Sequence, residues 1–197
     1  MSRYQARAIG FASRSRLCLT MRRLSAILIL LSTISLPCSV QAQEADAEVL
    51  VAEGIFAYDA KRYDEAIALL SRAVALDPRH ARAFYYLALC HLARGHAEQA
   101  IAPLSTLRTL RPSDPEVAYQ LGAALFALRN YEKAAPLLEE VFRQEPKREN
   151  LGFYVGFLRY RQKEYDSAAA ALSTNVSSDP DLRQLAFFYR GLALGVL

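Results

Sequence analysis

No catalytic signature interrupts this sequence. It has no Gly-x-Ser-x-Gly, which would mark a nucleophile elbow, and no His-Glu-x-x-His, which would mark a zinc-binding helix. A Gly-rich phosphate loop and paired-cysteine zinc spacing are missing too, so the common hydrolase, nucleotide-binding and structural-zinc classes fall away. Cysteine is scarce, with Cys18, Cys38 and Cys90 the full set. Glycine and proline number eight each, too few for a loop-rich or disordered chain. Acids are absent from residues 1–42, which carry Arg3, Arg7, Arg14, Arg16, Arg22 and Arg23. The net charge of +4 therefore belongs to that segment, and the remainder holds 18 bases against 20 acids. Basicity of this origin gives no reason to expect a nucleic-acid partner.

The opening residues have the layout of an export leader. Arg22 and Arg23 supply a positive start, and Leu24 to Leu36 form an apolar run of 13 residues. That run is short of the roughly 20 residues needed to cross a bilayer as a helix. Small residues close the segment, and Val40-Gln41-Ala42 resembles a signal-peptidase site, so residues 21–42 are expected to be a signal peptide cut after Ala42. An uncleaved anchor is the alternative. Residues 1–20 read as an upstream extension ahead of a true start at Met21, or else as a long leader. Cys38 follows Pro37, which argues against a lipid-anchored cysteine. Once the leader is gone Cys90 stands alone, and no disulfide can form within the mature chain. The expected location is outside the cytoplasm, periplasmic or associated with an outer membrane, with no stable transmembrane span after cleavage.

What the rest of the chain has in abundance is a spacing. Gly54, Ala88, Gly122 and Gly156 stand 34 residues apart, as do Ala66, Ala100, Ala134 and Ala168, and Pro78, Pro112, Pro146 and Pro180. Leu70, Leu104, Leu138 and Leu172 keep the same interval. A fixed period in this range means stacked structural repeats. Within the first, Ala47 to Ala60 and Tyr63 to Leu76 predict two helices joined at Lys61-Arg62. Ala66, Leu70, Ala73 and Val74 fall at helical spacing, and Asp64 and Glu65 sit in the first turn, where the helix dipole favours acids. Pro78 then stops the second helix. One hairpin cannot bury all its apolar faces, so neighbours must supply the core. The resulting prediction is an all-α solenoid with repeats at 47–80, 81–114, 115–148 and 149–182 and a partial fifth at 183–197, the whole domain running over 43–197.

These markers resemble the tetratricopeptide repeat. The first copy reads Leu50-x-x-Glu53-Gly54-x-x-Ala57, Ala66-x-x-x-Leu70, Pro78. The second reads Phe84-x-x-Leu87-Ala88-x-x-His91, Ala100-x-x-x-Leu104, Pro112. The third and fourth keep Leu121-Gly122 and Val155-Gly156, with Ala134-x-x-x-Leu138 and Ala168-x-x-x-Leu172. The resemblance covers 47–197 and implies a right-handed superhelix of helical hairpins. Departures are Glu53 at an apolar site, expected to face solvent, and Asn175, which replaces an apolar residue matching Ala73, Leu107 and Val141 and puts the fourth repeat's stability in question. Pro103 and Pro136 lie early in their helices and predict slight bends. Gly191 falls 35 residues after Gly156, which implies one inserted residue around Pro180 to Gln184. The fifth copy then stops inside its first helix, which leaves Leu192, Leu194, Val196 and Leu197 without a second helix. That pattern points to a longer protein or to an end that docks onto something.

Function is carried less by the markers than by the residues between them. In the resembled family the first helices line a concave surface. The matching positions are Val51, Tyr85, Tyr119 and Phe153; Ile55, Leu89, Ala123 and Phe157; and Tyr58, Leu92, Phe126 and Tyr160. Such a stripe suits an apolar extended or helical peptide, or sugar rings stacked on Tyr and Phe. The alternative is ordinary inter-helix core. Family members that clamp a chaperone's terminal carboxylate use Lys, Asn and Arg here, so that role is not expected. Cys90-His91 invites a metal or nucleophile reading, but neighbours on a helix point about 100° apart, so structural packing is the expectation. His80 and His96 read as solvated turn residues. The expected activity is a non-catalytic scaffold for a protein, peptide or glycan partner, with no cofactor, metal or nucleic acid. A periplasmic portion of an outer-membrane secretion or polysaccharide-export protein is the second reading. An enzyme would need a titratable cluster in a groove that is apolar.

Overall fold

A computed structural model describes residues 36–196, with side chains from Glu44 onward. The readings of residues 1–20 and of the apolar run from Leu24 lie outside the described residues, and 36–42 form the start of the first helix. Nine helices occupy the described residues: α1 (Leu36–Asp59), α2 (Tyr63–Leu76), α3 (Ala81–Ala93), α4 (Ala97–Leu110), α5 (Pro115–Ala127), α6 (Tyr131–Gln144), α7 (Leu151–Arg161), α8 (Tyr165–Ser173) and α9 (Pro180–Val196). From Ala47 the chain is one compact unit, an all-α solenoid of helical hairpins. No helix among the described residues is long and apolar enough to cross a membrane.

Each hairpin turns on one left-handed residue. Lys61, Gly95, Arg129 and Lys163 have φ of 59°, 76°, 58° and 66° and keep the 34-residue interval. The following N–H donates to the carbonyl five residues back: Arg62 to Ala57, His96 to His91, Asn130 to Leu125 and Glu164 to Arg159, at 2.8–3.0 Å. This Schellman closure satisfies carbonyls that the helix end leaves open. Only the second repeat uses glycine, and a Cβ in this region costs about 1 kcal/mol.

Small residues set the helix separation within hairpins. A Cβ on Gly54 would lie 2.7 Å from Leu70 Cγ, and one on Gly122 the same distance from Leu138 Cγ. Leu70, Leu104 and Leu138 are completely buried in these notches. Burying each contributes roughly 1.5–3 kcal/mol. Successive repeats meet through a second set of positions. Ala83 and Cys90, then Val117 and Ala124, then Leu151 and Leu158 are buried in the shared core. Ala186 and Ala193 continue the set at an interval of 35 and pack on α7 and α8 residues. Ion pairs bridge the joints, among them Arg108 to Glu140 at 2.6 Å and Arg159 to Glu139 at 2.7 Å.

Asp114 caps α5 by accepting from the Glu116 N–H at 3.0 Å, with Pro115 at the first helical position. Pro103 and Pro136 lie inside α4 and α6, each of which runs on as one helix. Glu53 is exposed, as its position implies. His80 is not solvated: its ring is only 13 % exposed, its Nδ1 caps α3 by accepting from the Ala83 N–H, and its Nε2 meets Glu48 at 2.5 Å.

The fourth repeat departs from the period for a physical reason. Its second helix, α8, ends at Ser173, so Asn175 is not a failed core position. Asn175 Oδ1 accepts from the Phe153 N–H at 3.0 Å, satisfying an open donor in the first turn of α7. The Asn150 N–H donates to the Val176 carbonyl at 2.7 Å and holds the same crossing. Gly152 makes this possible, because a Cβ there would lie 2.7 Å from both the N and Cα of Asn175. The connection then leads into α9 at Pro180, earlier than the start near residue 183 that the repeat phase implies.

Candidate binding groove

The odd-numbered helices place their spare apolar residues on one surface, and small residues decide where it opens. A cleft of about 480 Å³ is lined by Leu92, Gly95, Ala97, Tyr119, Gln120, Ala123, Ala124, Ala127 and Tyr154. Ala123, Ala124 and Ala127 form the floor on α5. The third repeat carries alanine where the first and fourth carry Ile55 and Phe157, so the surface dips there.

Aromatic clusters wall the dip on both sides. On one, Tyr58 meets Tyr63 at 5.8 Å and Tyr86 at 5.5 Å between ring centroids, and Tyr86 meets Tyr85 at 5.5 Å. On the other, contacts run from Tyr154 to Phe126 at 4.7 Å, Phe126 to Phe157 at 5.4 Å, Phe157 to Tyr189 at 5.0 Å and Tyr189 to Tyr160 at 5.4 Å. Edge-to-face contacts of this kind add about 0.5–1.5 kcal/mol each beyond their burial and make the wall stiff.

The polar edge is fixed by α5 and the turn before α7. Tyr119 donates its hydroxyl to the Glu149 carbonyl at 2.9 Å, and the Arg148 guanidinium lies 4.1 Å from its ring centroid. Arg148 pairs with Glu116, which also accepts from Gln120 Nε2 at 2.8 Å. Arg148 is thus held on the ring rather than free in the cleft. Burial pushes the Tyr119 phenol up to about 12 and raises Tyr154, Tyr85 and Tyr58 as well, so these rings are neutral near pH 7.

The predicted site residues divide three ways. Leu92 and Tyr119 line the cleft, with Ala123. Ile55, Tyr58, Tyr85, Leu89, Phe126, Phe157 and Tyr160 are partly exposed on the walls and beyond. Val51 and Phe153 are corrections: Val51 is fully buried in the core with Ala66 and Leu70, and Phe153 is 5 % exposed beneath the aromatic wall. Their helix positions point between hairpins, not outward. Missed were Tyr154, Gln120, Gly95, Ala97 and Ala127, with the wall residues Tyr86, Tyr131, Tyr165 and Tyr189. The signal was available, since Tyr86, Tyr154 and Tyr189 follow the repeat interval one place after the chosen stripe.

Cys90 is fully buried, and burial pushes its thiol up to about 11, so at neutral pH it is neither a nucleophile nor a thiolate ligand. Burial also lowers the His91 pKa, which keeps that imidazole neutral. Among the described residues, no three His, Cys, Asp or Glu side chains converge as a metal site.

Comparison with known proteins agrees with this architecture. The family "anaphase-promoting complex, cyclosome, subunit 3" matches residues 59–141, and the family "tetratricopeptide repeat" matches residues 119–181. No curated protein matches the sequence. Among solved structures, YrrB, described as a TPR protein with an unusual peptide-binding site, superposes with a TM-score of 0.66 at 15 % identity, over 82 % of this chain and 83 % of that one. MamA gives 0.65 at 19 % identity, over 76 % and 81 %. The first TPR of Spaghetti (RPAP3), bound to the HSP90 peptide SRMEEVD, gives 0.52 at 23 % identity, over 60 % and 97 %.

Proposed function

The chain belongs to the tetratricopeptide-repeat family, and we propose that it is an interaction scaffold whose cleft over α5 holds a short apolar segment of a protein partner. The observation that carries this is the lining itself. Alanines and Gly95 leave room for an inserted side chain, Leu92, Tyr119 and Tyr154 flank it, and Gln120 is the amide beside them. An apolar pocket with one or two placed polar groups is the usual form of a recognition site. The lining has no carboxylate, imidazole, thiol or cation. That favours binding over catalysis. It also favours an apolar segment over an acidic one of the SRMEEVD kind bound by the RPAP3 repeat.

We place the scaffold in a cell envelope, on the strength of the leader-like residues 21–42. Fractionation with N-terminal sequencing tests that placement, and a mature chain that starts upstream of Gln43 rejects the cleavage reading. For the cleft, the test is selection from a displayed peptide library followed by calorimetry on the winners. Apolar and aromatic anchors should be enriched. Ala123→Leu, which fills the floor, should weaken the selected peptide at least about tenfold with helicity unchanged. Equal affinity for the filled variant would reject the cleft as the site.

A further inference from the structure

Helix α9 carries the largest concentration of exposed apolar side chains among the described residues. Leu185, Phe187, Phe188, Leu192, Leu194 and Val196 are between 38 and 69 % exposed. Together they present roughly 600 Å² of apolar surface, near the top of the range for patches on ordinary monomers and close to the roughly 800 Å² that one partner gives to a standard interface. Leu182, Ala186, Tyr189 and Ala193 face α7 and α8. The rest of the helix from Leu185 is apolar nearly all round, as in helices covered on every side.

The repeat itself defines what would cover it. With the inserted residue counted, Phe188, Gly191 and Leu194 occupy the places of Val51, Gly54 and Ala57, which are buried beneath α2. The notches at Gly54, Gly122 and Gly156 each receive a leucine of an antiparallel helix, whereas a Cβ at Gly191 would meet nothing within 4 Å.

We propose that a second copy of the chain fills this face, with α9 packing antiparallel on its counterpart about a twofold axis beside Gly191 and Leu192. In that register the helix is self-complementary. Leu192 of each copy enters the Gly191 notch of the other, and Phe188 of each lies over the other's Gly195. Large residues meet glycine at both contacts, and two glycines four residues apart on one face let helices approach closely. Arg183 and Arg190 lie on the flank toward Leu172, Ser173 and Asn175 and stay out of the seam. A twofold contact closes, using the same patch on both copies. The dimer carries two clefts, so a partner with two apolar segments gains avidity.

Sedimentation equilibrium on the full chain tests this, with Gly191→Leu and Phe188→Asp beside the wild type. Both positions are free of close contacts or exposed, so circular dichroism should be unchanged in each. The wild type should dimerise at micromolar concentration, and each variant should weaken the dimer at least about 30-fold. A wild type that stays monomeric at submillimolar concentration overturns the proposal, as does a dimer that neither substitution affects. Loss of the dimer in Phe188→Asp alone rejects the notch register. Partitioning onto phosphatidylcholine vesicles without self-association shows instead that this face meets lipid.

Discussion

Substituting Gly152 with alanine places a Cβ 2.7 Å from the Asn175 N and Cα and 2.9 Å from the Ala171 carbonyl oxygen. All three obstacles are backbone, so no side-chain rotation relieves them. Overpacking of this kind costs about 1–3 kcal/mol, and the upper end applies where backbone must move. Pushing Asn175 away also breaks its bond to the Phe153 N–H, worth about 1 kcal/mol. Alanine returns roughly 1 kcal/mol of helix propensity. The net expectation is a loss of about 2–3 kcal/mol. Asn175→Ala alone removes the cap bond and should cost about 1 kcal/mol. Because both changes act on one contact, the double variant should be little worse than Gly152→Ala, a coupling of about 1 kcal/mol. Urea denaturation followed by circular dichroism measures all three. Solenoids can open in parts, so hydrogen exchange should locate the loosening in residues 174–179 and the first turn of α7. A Gly152→Ala variant within about 0.5 kcal/mol of wild type, or effects that simply add, would refute the account of why α8 is short.

Two further outcomes follow from other parts of the molecule. The Cys90 thiol keeps its proton in the folded chain up to about 11, against an ordinary value of 9.0, so the unfolded chain ionises first as pH rises. Stability from this source is complete below pH 9 and lost between 9 and 11, amounting to at most about 2–3 kcal/mol. Comparing wild type with Cys90→Ala from pH 8 to 11 isolates it, and parallel curves would show that burial does not hold the thiol. Arg129 sits at φ 58°, so Arg129→Gly should raise the urea midpoint by the equivalent of about 1 kcal/mol, while Gly95→Ala should lower it similarly; opposite signs would contradict the shared turn geometry.

How much of this could be read in advance differs from one feature to the next. The hairpins were legible because Gly54, Ala66, Leu70 and Pro78 recur, and each has a local or pairwise reason to be where it is. The boundaries of α2, Tyr63 to Leu76, needed only periodicity and a proline. The fourth repeat was misread because Asn175 was judged against the period, while its role depends on a donor 22 residues away. Val51 and Phe153 were placed on the groove because repeat position fixes which way a helix residue points only to within a fraction of a turn. The packing of the neighbouring hairpin decides whether that direction is open. Tyr154, one place along, was left out for the same reason.

By itself, then, the sequence determined the period, the helical hairpin and the aromatic character of the inner helices, because each depends on contacts whose spacing along the chain is constant. Only the tertiary structure decided which aromatics are wall and which are core, and where the alanines of α5 open a cleft. It also decided that α9 meets α7 and α8 on one side and nothing on the other among the described residues. Those outcomes depend on how much volume neighbouring repeats leave unfilled, a property of pairs of surfaces that no single stretch of chain encodes.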